Sequence, residues 1–551
     1  MDSASHRDIG GVSSPGDHGR LTTSSSVKLL LIGLIACWAL ELLWLQHVTA
    51  FPNADIPVGR AIKDAFRRFV LNAAACTAMV CLLHHWIQRS LFLVGFLAFN
   101  TLIVVANYFG HPLSWPMLTM QWREGVGVAH HGLSLVSPWT LLLTGLACGA
   151  KWLLLSKSRT YPGDSRALRK TGAWACVIYL VCAVGLLRHK PIQRIHMGTP
   201  QYIYGYTLAW TAEALTYDHD GLLNLALEKA AAKSDRLSRL ERPLPLGTHV
   251  AIIQVESLDY DILEAKVDGT DVMPFLRSLA SQARRYSVKP FHNTGSSEAD
   301  FSTLTTCTPN GKVNPFQIAG FPYDDTLARS ARGAGYRTVA MHGNTGEFFH
   351  RRSAYEQMGF DEIFFTEELR RLEIDGSWDK ALLNHSADLL VSASEPTLHF
   401  LITITSHGPF DRLDANQRRL HRSPRNETEH YRNSMRYVDE ALADYIDRIP
   451  PGTTVVIYGD HESGVHGYAD PSQHTDHVPW LIYQKPSEQL VGIPADNGAN
   501  DDAKLASSGT DRERDSQDHW SQLDLVCYLK DGFRARQLAR EGSEGSASLR
   551  R

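Results

Sequence analysis

Cysteine is sparse in this 551-residue chain, and most of it sits in one place. Six of the eight cysteines (Cys37, Cys76, Cys81, Cys148, Cys176, Cys182) lie in or beside apolar runs in the first third, leaving only Cys307 and Cys527 beyond. Two cysteines so far apart make no disulfide framework, so the later part of the chain must fold on its own apolar core. A basic excess is missing too. Lys and Arg number 55 against 59 Asp and Glu, a net charge of −4, which argues against nucleic acid as a partner. Disorder over the whole length is excluded by 44% hydrophobic residues. Those averages describe an ordinary soluble protein of three or four domains.

The averages conceal two different halves. Residues 1–188 carry 16 Lys and Arg against 8 Asp and Glu, whereas the remainder carries 39 against 51. Charge is almost absent from five apolar runs in the first half: Leu29–Trp44, Phe69–Ile87, Leu91–Tyr108, Val136–Leu155 and Ala173–Leu187. Each approaches the roughly 20 residues that span a bilayer as helix. Buried helices of a large soluble protein are the alternative, which five nearly uncharged runs disfavour. No small-residue cleavage site follows the first run, so a removable signal peptide is not expected.

Loop charge orients the spans. With the N-terminus inside, inner segments carry Arg7, Arg20, Lys28, Arg89, Lys151, Lys157, Arg159, Arg166, Arg169 and Lys170. Outer loops carry Arg60, Lys63, Arg67, Arg68 and Arg123. This obeys the positive-inside tendency, with a dissenting first outer loop, and places everything after Arg188 outside the cytoplasmic membrane. Glu41 lies within the first span, where a carboxylate is a functional candidate by default; it is also about one turn from Trp44, and snorkelling to the interface is the favoured reading.

The expected organisation is a cytoplasmic tail (1–28), a five-helix membrane domain (29–188), connector helices (189–247), an extracytoplasmic domain (248–535) and a polar tail (536–551). The connector stretch Asp220–Arg239 is amphipathic, and a polar insertion occupies about 494–519. From His249 onward, short β-branched runs alternate with helical segments, the pattern of a mainly parallel sheet with helices on its faces. Four runs read as buried strands: Val250–Val255, Arg337–Met341, His399–Thr405 and Thr453–Tyr458. Helices fit between them at Thr326–Ala334 and Tyr431–Arg448.

The residues just past each strand carry the chemistry. The first strand runs into Glu256-Ser257 and the second into His342-Gly343-Asn344. The third runs into Ser406-His407-Gly408-Pro409-Phe410 and the fourth into Gly459-Asp460-His461-Glu462. Parallel strands deliver these loops to one sheet edge, where ligands bind. Carboxylates and imidazoles without a thiolate suit one divalent cation, Zn2+, Mn2+ or Mg2+, rather than copper or iron–sulfur chemistry. Such a cation acidifies a hydroxyl and turns Ser or Thr into a nucleophile. One hydroxyl-rich loop, Asn293-Thr294-Gly295-Ser296-Ser297-Glu298, comes after a strand expected at Tyr286–Pro290; taken alone it is an ordinary turn before an N-capped helix.

Together these residues resemble the alkaline-phosphatase superfamily, and within it the lipoteichoic-acid-synthase-like phosphoglycerol transferases. The resemblance implies five membrane helices, a connector and an outer sulfatase-like α/β domain. It implies a metal held by Glu256, Ser296, Asp460 and His461. The family's T-S-D-x-E-F string corresponds to Ser296-Ser297-Glu298-Ala299-Asp300-Phe301, which makes Ser296 the nucleophile where the family has Thr; Ser297 and Thr294 remain competitors. Its Trp-x-Arg headgroup contact falls at Phe349-His350-Arg351, with Phe for Trp. Arg351 would clamp a phosphate oxygen, and His407 would hydrogen-bond the headgroup or protonate a leaving oxygen. His342 and His477 complete the expected polar site.

The implied reaction is ping-pong. A phospho-group passes from a membrane phospholipid, phosphatidylglycerol first, to Ser296, and then to a glycan or polymer acceptor. A phosphoethanolamine transferase is the near alternative, and a catalytically silent membrane sensor or assembly protein the alternative of another class. The string Cys307-Thr308-Pro309-Asn310-Gly311 comes near a sulfatase signature but has Gly where Arg belongs.

Overall fold

The computed structural model describes residues 17–50, 58–109, 112–127, 137–158, 165–189, 199–231, 243–465, 468, 475–487 and 520–548. The polar insertion expected at 494–519 and most of the N-terminal tail lie outside them. By internal packing the chain forms two compact units, residues 1–115 with 132–216, and residues 116–131 with 217–551. The division thus falls inside the expected connector. Helices Thr199–Tyr204 and Tyr206–Thr216 belong to the first unit because Tyr202, Tyr204, Leu208 and Ala209 pack with Ala183 in one apolar cluster.

Among the described residues, five helices of the first unit are long and apolar enough to cross a membrane: Val27–Thr49, Ile62–Leu82, His85–Asn107, Pro138–Ser158 and Arg166–Arg188. The chain is a multi-pass membrane protein. Its second span starts and ends earlier than the hydropathy pattern suggested, because Arg60, Lys63, Arg67 and Arg68 belong to helix Val58–Leu82 rather than to a loop. Arg68 is buried, with its guanidinium 3.8 Å from the ring centre of Tyr202.

Glu41 corrects the snorkelling expectation. Its carboxylate is buried and paired with the ammonium of Lys151, also buried, on helix Pro138–Ser158. Lys151 is therefore not a loop charge either. The Phe92 ring lies 5.3 Å from its Nζ, and those of Trp38 and Phe99 lie 5.9 Å away. A carboxylate alone in that apolar setting would be strongly destabilising, so the two charges share one site.

The second unit is built on a sheet. Its strands are β1 (Val250–Val255), β2 (Lys266–Val267), β3 (Thr270–Asp271), β4 (Arg284–Val288), β5 (Arg337–His342), β6 (Glu362–Phe364), β7 (Thr397–Ile402), β8 (Thr454–Gly459) and β9 (Val478–Gln484). Seven of them form one sheet in the order β4-β9-β8-β1-β7-β5-β6, while β2 and β3 pair separately. Only β9 runs against the rest, so β4 points the same way as β8 and β1. All six β1 residues are buried, which explains the unbroken apolar run. Val250 and Ile252 join one core, whereas Ala251, Ile253 and Val255 join the core on the opposite face.

Several boundaries differ from the pattern-based ones. β7 stops at Ile402, leaving Thr403–Thr405 to the loop, and β4 begins at Arg284 and ends before Pro290. Pro290 has no N–H to give a ladder. Helices lie at Leu327–Gly333, capped by Thr326, and at Glu427–Arg448, capped by Asn426. The polar tail expected from 536 is instead the continuation of helix Gln522–Ser548, whose Leu525, Val526, Leu529 and Phe533 pack into the core.

Candidate metal centre

The C-terminal ends of β4, β8, β1, β7 and β5 share one edge of the sheet. Glu256 follows β1 directly, and Asp460-His461 follow β8, which pairs with β1 in parallel register. One ligand atom from each of Glu256, Asp460 and His461 lies within 4.8 Å of the others. Loop hydrogen bonds hold the set in place. Glu256 N donates to Thr403 Oγ1 (2.9 Å), and Ser257 N and His461 N both donate to Asp460 Oδ1 (2.8 Å each). Ser257 takes a left-handed conformation (φ 56°), bending the chain sharply after the ligand.

This donor set fits a divalent cation. His461 Nδ1 lies 2.6 Å from the Glu462 carbonyl, which can only accept, so Nδ1 carries the proton and Nε2 faces the carboxylates. Nε2 is 3.0 Å from Glu256 Oε1 and 3.6 Å from Asp460 Oδ2, a buried oxygen with no hydrogen-bond partner. Burial opposes charge on His461, but Asp460 and Glu256 outweigh it and hold its pKa up at about 10. Burial and the neighbouring Glu256 push Asp460 up, whereas Glu256 is held low, its burial outweighed by His461 and His407. Two buried carboxylates thus demand positive charge at His461 Nε2, which a cation supplies better than one proton.

The hydroxyl loop enters from β4. Gly295 (φ 125°) ends the loop, and Ser296 sits at the N-terminus of helix Ser297–Thr305. Exposure separates the three hydroxyls: Ser296 is half-buried, whereas Thr294 and Ser297 are 1% and 0% exposed. Glu298 Oε2 accepts from Asn293 N and ties the loop closed; burial raises its pKa to about 7. Cys307 lies just past the other end of that helix, buried and in no disulfide, with its Sγ 3.4 Å from the Thr305 carbonyl.

Arg351 is not an open fork. It is 2% exposed, and its Nε and Nη2 donate to Asp300 Oδ2 (2.9 Å) and Oδ1 (3.3 Å). Tyr355 also donates to Asp300 Oδ2 (2.6 Å). Half of the expected phosphate clamp is therefore committed to a carboxylate. Phe349 does stand beside the nucleophile loop: a Cβ on Gly295 would meet its ring at 2.7 Å, and Arg351 lies 5.3 Å from the ring centre. His342 is buried, with Nδ1 3.2 Å from the Ile402 carbonyl; burial and Arg351 lower its pKa to about 3, leaving a neutral ring with Nε2 as acceptor. His407 Nδ1 lies 2.8 Å from the Gly408 carbonyl, and its ring is half-buried. His477 stands apart. Its carbonyl accepts from Tyr260 N (3.0 Å), and among the described residues no hydrogen bond or ion pair joins it to the ligand set.

Two residues were invisible to the sequence pattern. The His292 ring stacks on His461 with centroids 3.9 Å apart and planes 18° apart. Asp259 is buried and braces the loop after β8: Oδ1 accepts from Ser463 N (2.7 Å), and Oδ2 accepts from Ser463 Oγ (2.6 Å), Tyr431 Oη (3.0 Å) and Tyr468 Oη.

Known proteins are similar to parts of this chain. The sulfatase family profile matches residues 248–506. The lipoteichoic acid synthase of Staphylococcus aureus is 28% identical over 250 residues, covering 42% of this chain and 38% of that protein. The match thus spans well under half the length of that relative. Among solved structures, the lipoteichoic acid synthase LtaP of Listeria monocytogenes aligns over 47% of this chain and 72% of its own, with 20% identity and a TM-score of 0.41. The phosphoethanolamine transferase EptA of Neisseria meningitidis aligns over 91% and 95%, with 13% identity and a TM-score of 0.49. The stretch 248–506 is thus similar to the sulfatase family and contains Glu256, Asp460 and His461, gathered at one sheet edge, while five membrane-length helices precede it among the described residues.

Proposed function

We propose that this chain is a metal-dependent phosphotransferase. It moves a phosphoglycerol group from a membrane phospholipid to an extracytoplasmic glycan or polymer acceptor through a covalent intermediate on Ser296. The observation that carries the reading is the buried Glu256–Asp460–His461 set beside a loop whose one accessible hydroxyl is Ser296. The similarity to lipoteichoic acid synthase supports a phosphoglycerol-type transfer, for which phosphatidylglycerol is the donor to test first. Basic residues flanking the spans support a place in the cytoplasmic membrane with the catalytic domain outside.

A divalent cation held by Glu256, Asp460 and His461, Mn2+ first, would offset the charge of the phosphoryl group and lower the pKa of the attacking hydroxyl. Ser296 Oγ, its proton already released to solvent, forms the bond to phosphorus as the bond to the diacylglycerol oxygen breaks, and that oxygen takes a proton from His407. Neutral His342 accepts a hydrogen bond from a headgroup hydroxyl, and Phe349 lies against the glycerol. Asp300 and Tyr355 hold Arg351 so that its remaining N–H groups serve a phosphoryl oxygen. An acceptor hydroxyl then displaces Ser296, with His407 taking the proton back.

Intact-mass measurement of the full chain after incubation with phosphatidylglycerol or phosphatidylethanolamine tests this. A glycerophosphate adduct lost in Ser296→Ala is the expected result. A phosphoethanolamine adduct assigns the other donor, and an adduct that survives Ser296→Ala moves the nucleophile elsewhere.

A further inference from the structure

His292 belongs to no motif, yet it is the side chain laid flat on a ligand residue. Its position follows from topology. β4 is an outer strand of the sheet, held by β9 through Val288 opposite Val478, and its direction sends residues 289–296 to the same edge as Asp460 and His461. His292 comes four residues after that strand ends and four before Ser296.

The His461 ring has two edges and two faces. Both edges are engaged, Nδ1 by the Glu462 carbonyl (2.6 Å) and Nε2 toward Glu256 Oε1 (3.0 Å). Two edge contacts fix an axis through the ring and still allow it to rock about that axis. A near-parallel ring at 3.9 Å removes that freedom, because rocking drives one imidazole into the other. The same contact joins two loops of different origin, one carrying the nucleophile and one carrying two ligands. The loop that brings His292 is itself clipped by Glu298 to Asn293 N, so the stacked ring rests on a closed turn.

Resting on the metal-centre reading, we propose that His292 is a positioning residue. Its ring face sets the plane of His461, and through that plane the direction of Nε2 toward the cation, while seating the Ser296 loop over the ligand set. The contact that reaches His461 is the ring face. A benzene ring should therefore replace imidazole, and a methyl group should not.

The test is Mn2+ binding to the full chain in detergent micelles, read by equilibrium dialysis and by the rate of Mn2+ loss to a chelator. His292→Ala should weaken Mn2+ binding about tenfold and speed its loss in proportion, the usual cost of removing a residue that orients a ligand. His292→Phe should bind close to the wild type. Wild-type affinity in His292→Ala overturns the proposal, and so does His292→Phe binding as weakly as His292→Ala, since a nitrogen would then be what matters. His461→Ala should abolish binding; if the wild type binds no divalent cation, the metal-centre reading falls and this proposal with it.

Discussion

Asp300, Arg351 and Tyr355 offer the most quantitative check on how the site is held. Asp300 is fully buried and Arg351 2% exposed, with two N–H···O contacts at 2.9 and 3.3 Å and the Tyr355 hydroxyl at 2.6 Å. Asp300→Ala strands a guanidinium in the core, and losing one partner of such a pair costs about 3–5 kcal/mol. Tyr355→Phe removes one hydrogen bond to a charged acceptor, about 1.5–3 kcal/mol. Replacing both ions by apolar groups is often near neutral, so Asp300→Ala combined with Arg351→Met should recover most of the single-variant loss. Pulse proteolysis of the full chain across a urea gradient reads all three midpoints. A loss below about 1 kcal/mol for Asp300→Ala, or a double variant no more stable than the single one, refutes the reasoning. Activity separates the roles further: the double variant should fold and still fail to form the phospho-adduct, because Arg351 is gone.

Acid sensitivity should trace partly to His399, a buried β7 residue whose Nδ1 lies 2.7 Å from Ser386 Oγ and whose pKa burial lowers to about 3. The unfolded chain takes up that proton near pH 6.5 and the native one does not. The stabilisation is complete above pH 6.5 and falls by about 1.4 kcal/mol per pH unit below it. His399→Leu should flatten the unfolding midpoint between pH 7 and pH 5, and an unchanged slope would count against it. Asp259→Asn should loosen the loop after β8 and weaken Mn2+ binding about tenfold, measured by dialysis; unaltered affinity would make the brace dispensable. In the first unit, Glu41→Ala leaves Lys151 unpaired and should cost about 3–5 kcal/mol, whereas Glu41→Leu with Lys151→Leu should restore the thermal midpoint in detergent.

Patterns along the chain revealed what single segments encode. Val250–Val255 reads as a strand buried on both faces because every residue in it is apolar except Gln254, whose side chain bonds Tyr458 within the core. Glu256, Asp460 and His461 were legible because they stand directly at strand ends. Strand order was not, since β9 enters antiparallel between β4 and β8 through pairings distant in sequence. β4 was placed two residues late because Arg284 and Arg285 break its apolar pattern. Glu41 was misjudged because its partner lies on another helix, and a charge considered without its partner looks as though it must reach water. His292 had no signal at all, because its role exists only where two loops meet.

The Glu41–Lys151 pair has a consequence for how the protein is made. The partners are 110 residues apart in the chain, on the first and fourth spans. A lone charge at mid-membrane costs about 2.5–3.5 kcal/mol during insertion. The first span must carry that burden while two more helices are synthesised, and the fourth sheds it on meeting the first. A nascent chain halted after its third span therefore exposes an unmatched carboxylate to lipid or to quality-control proteases. Completion of the fourth span is the moment at which Glu41 gains its partner, before residues 248 onward have been translated.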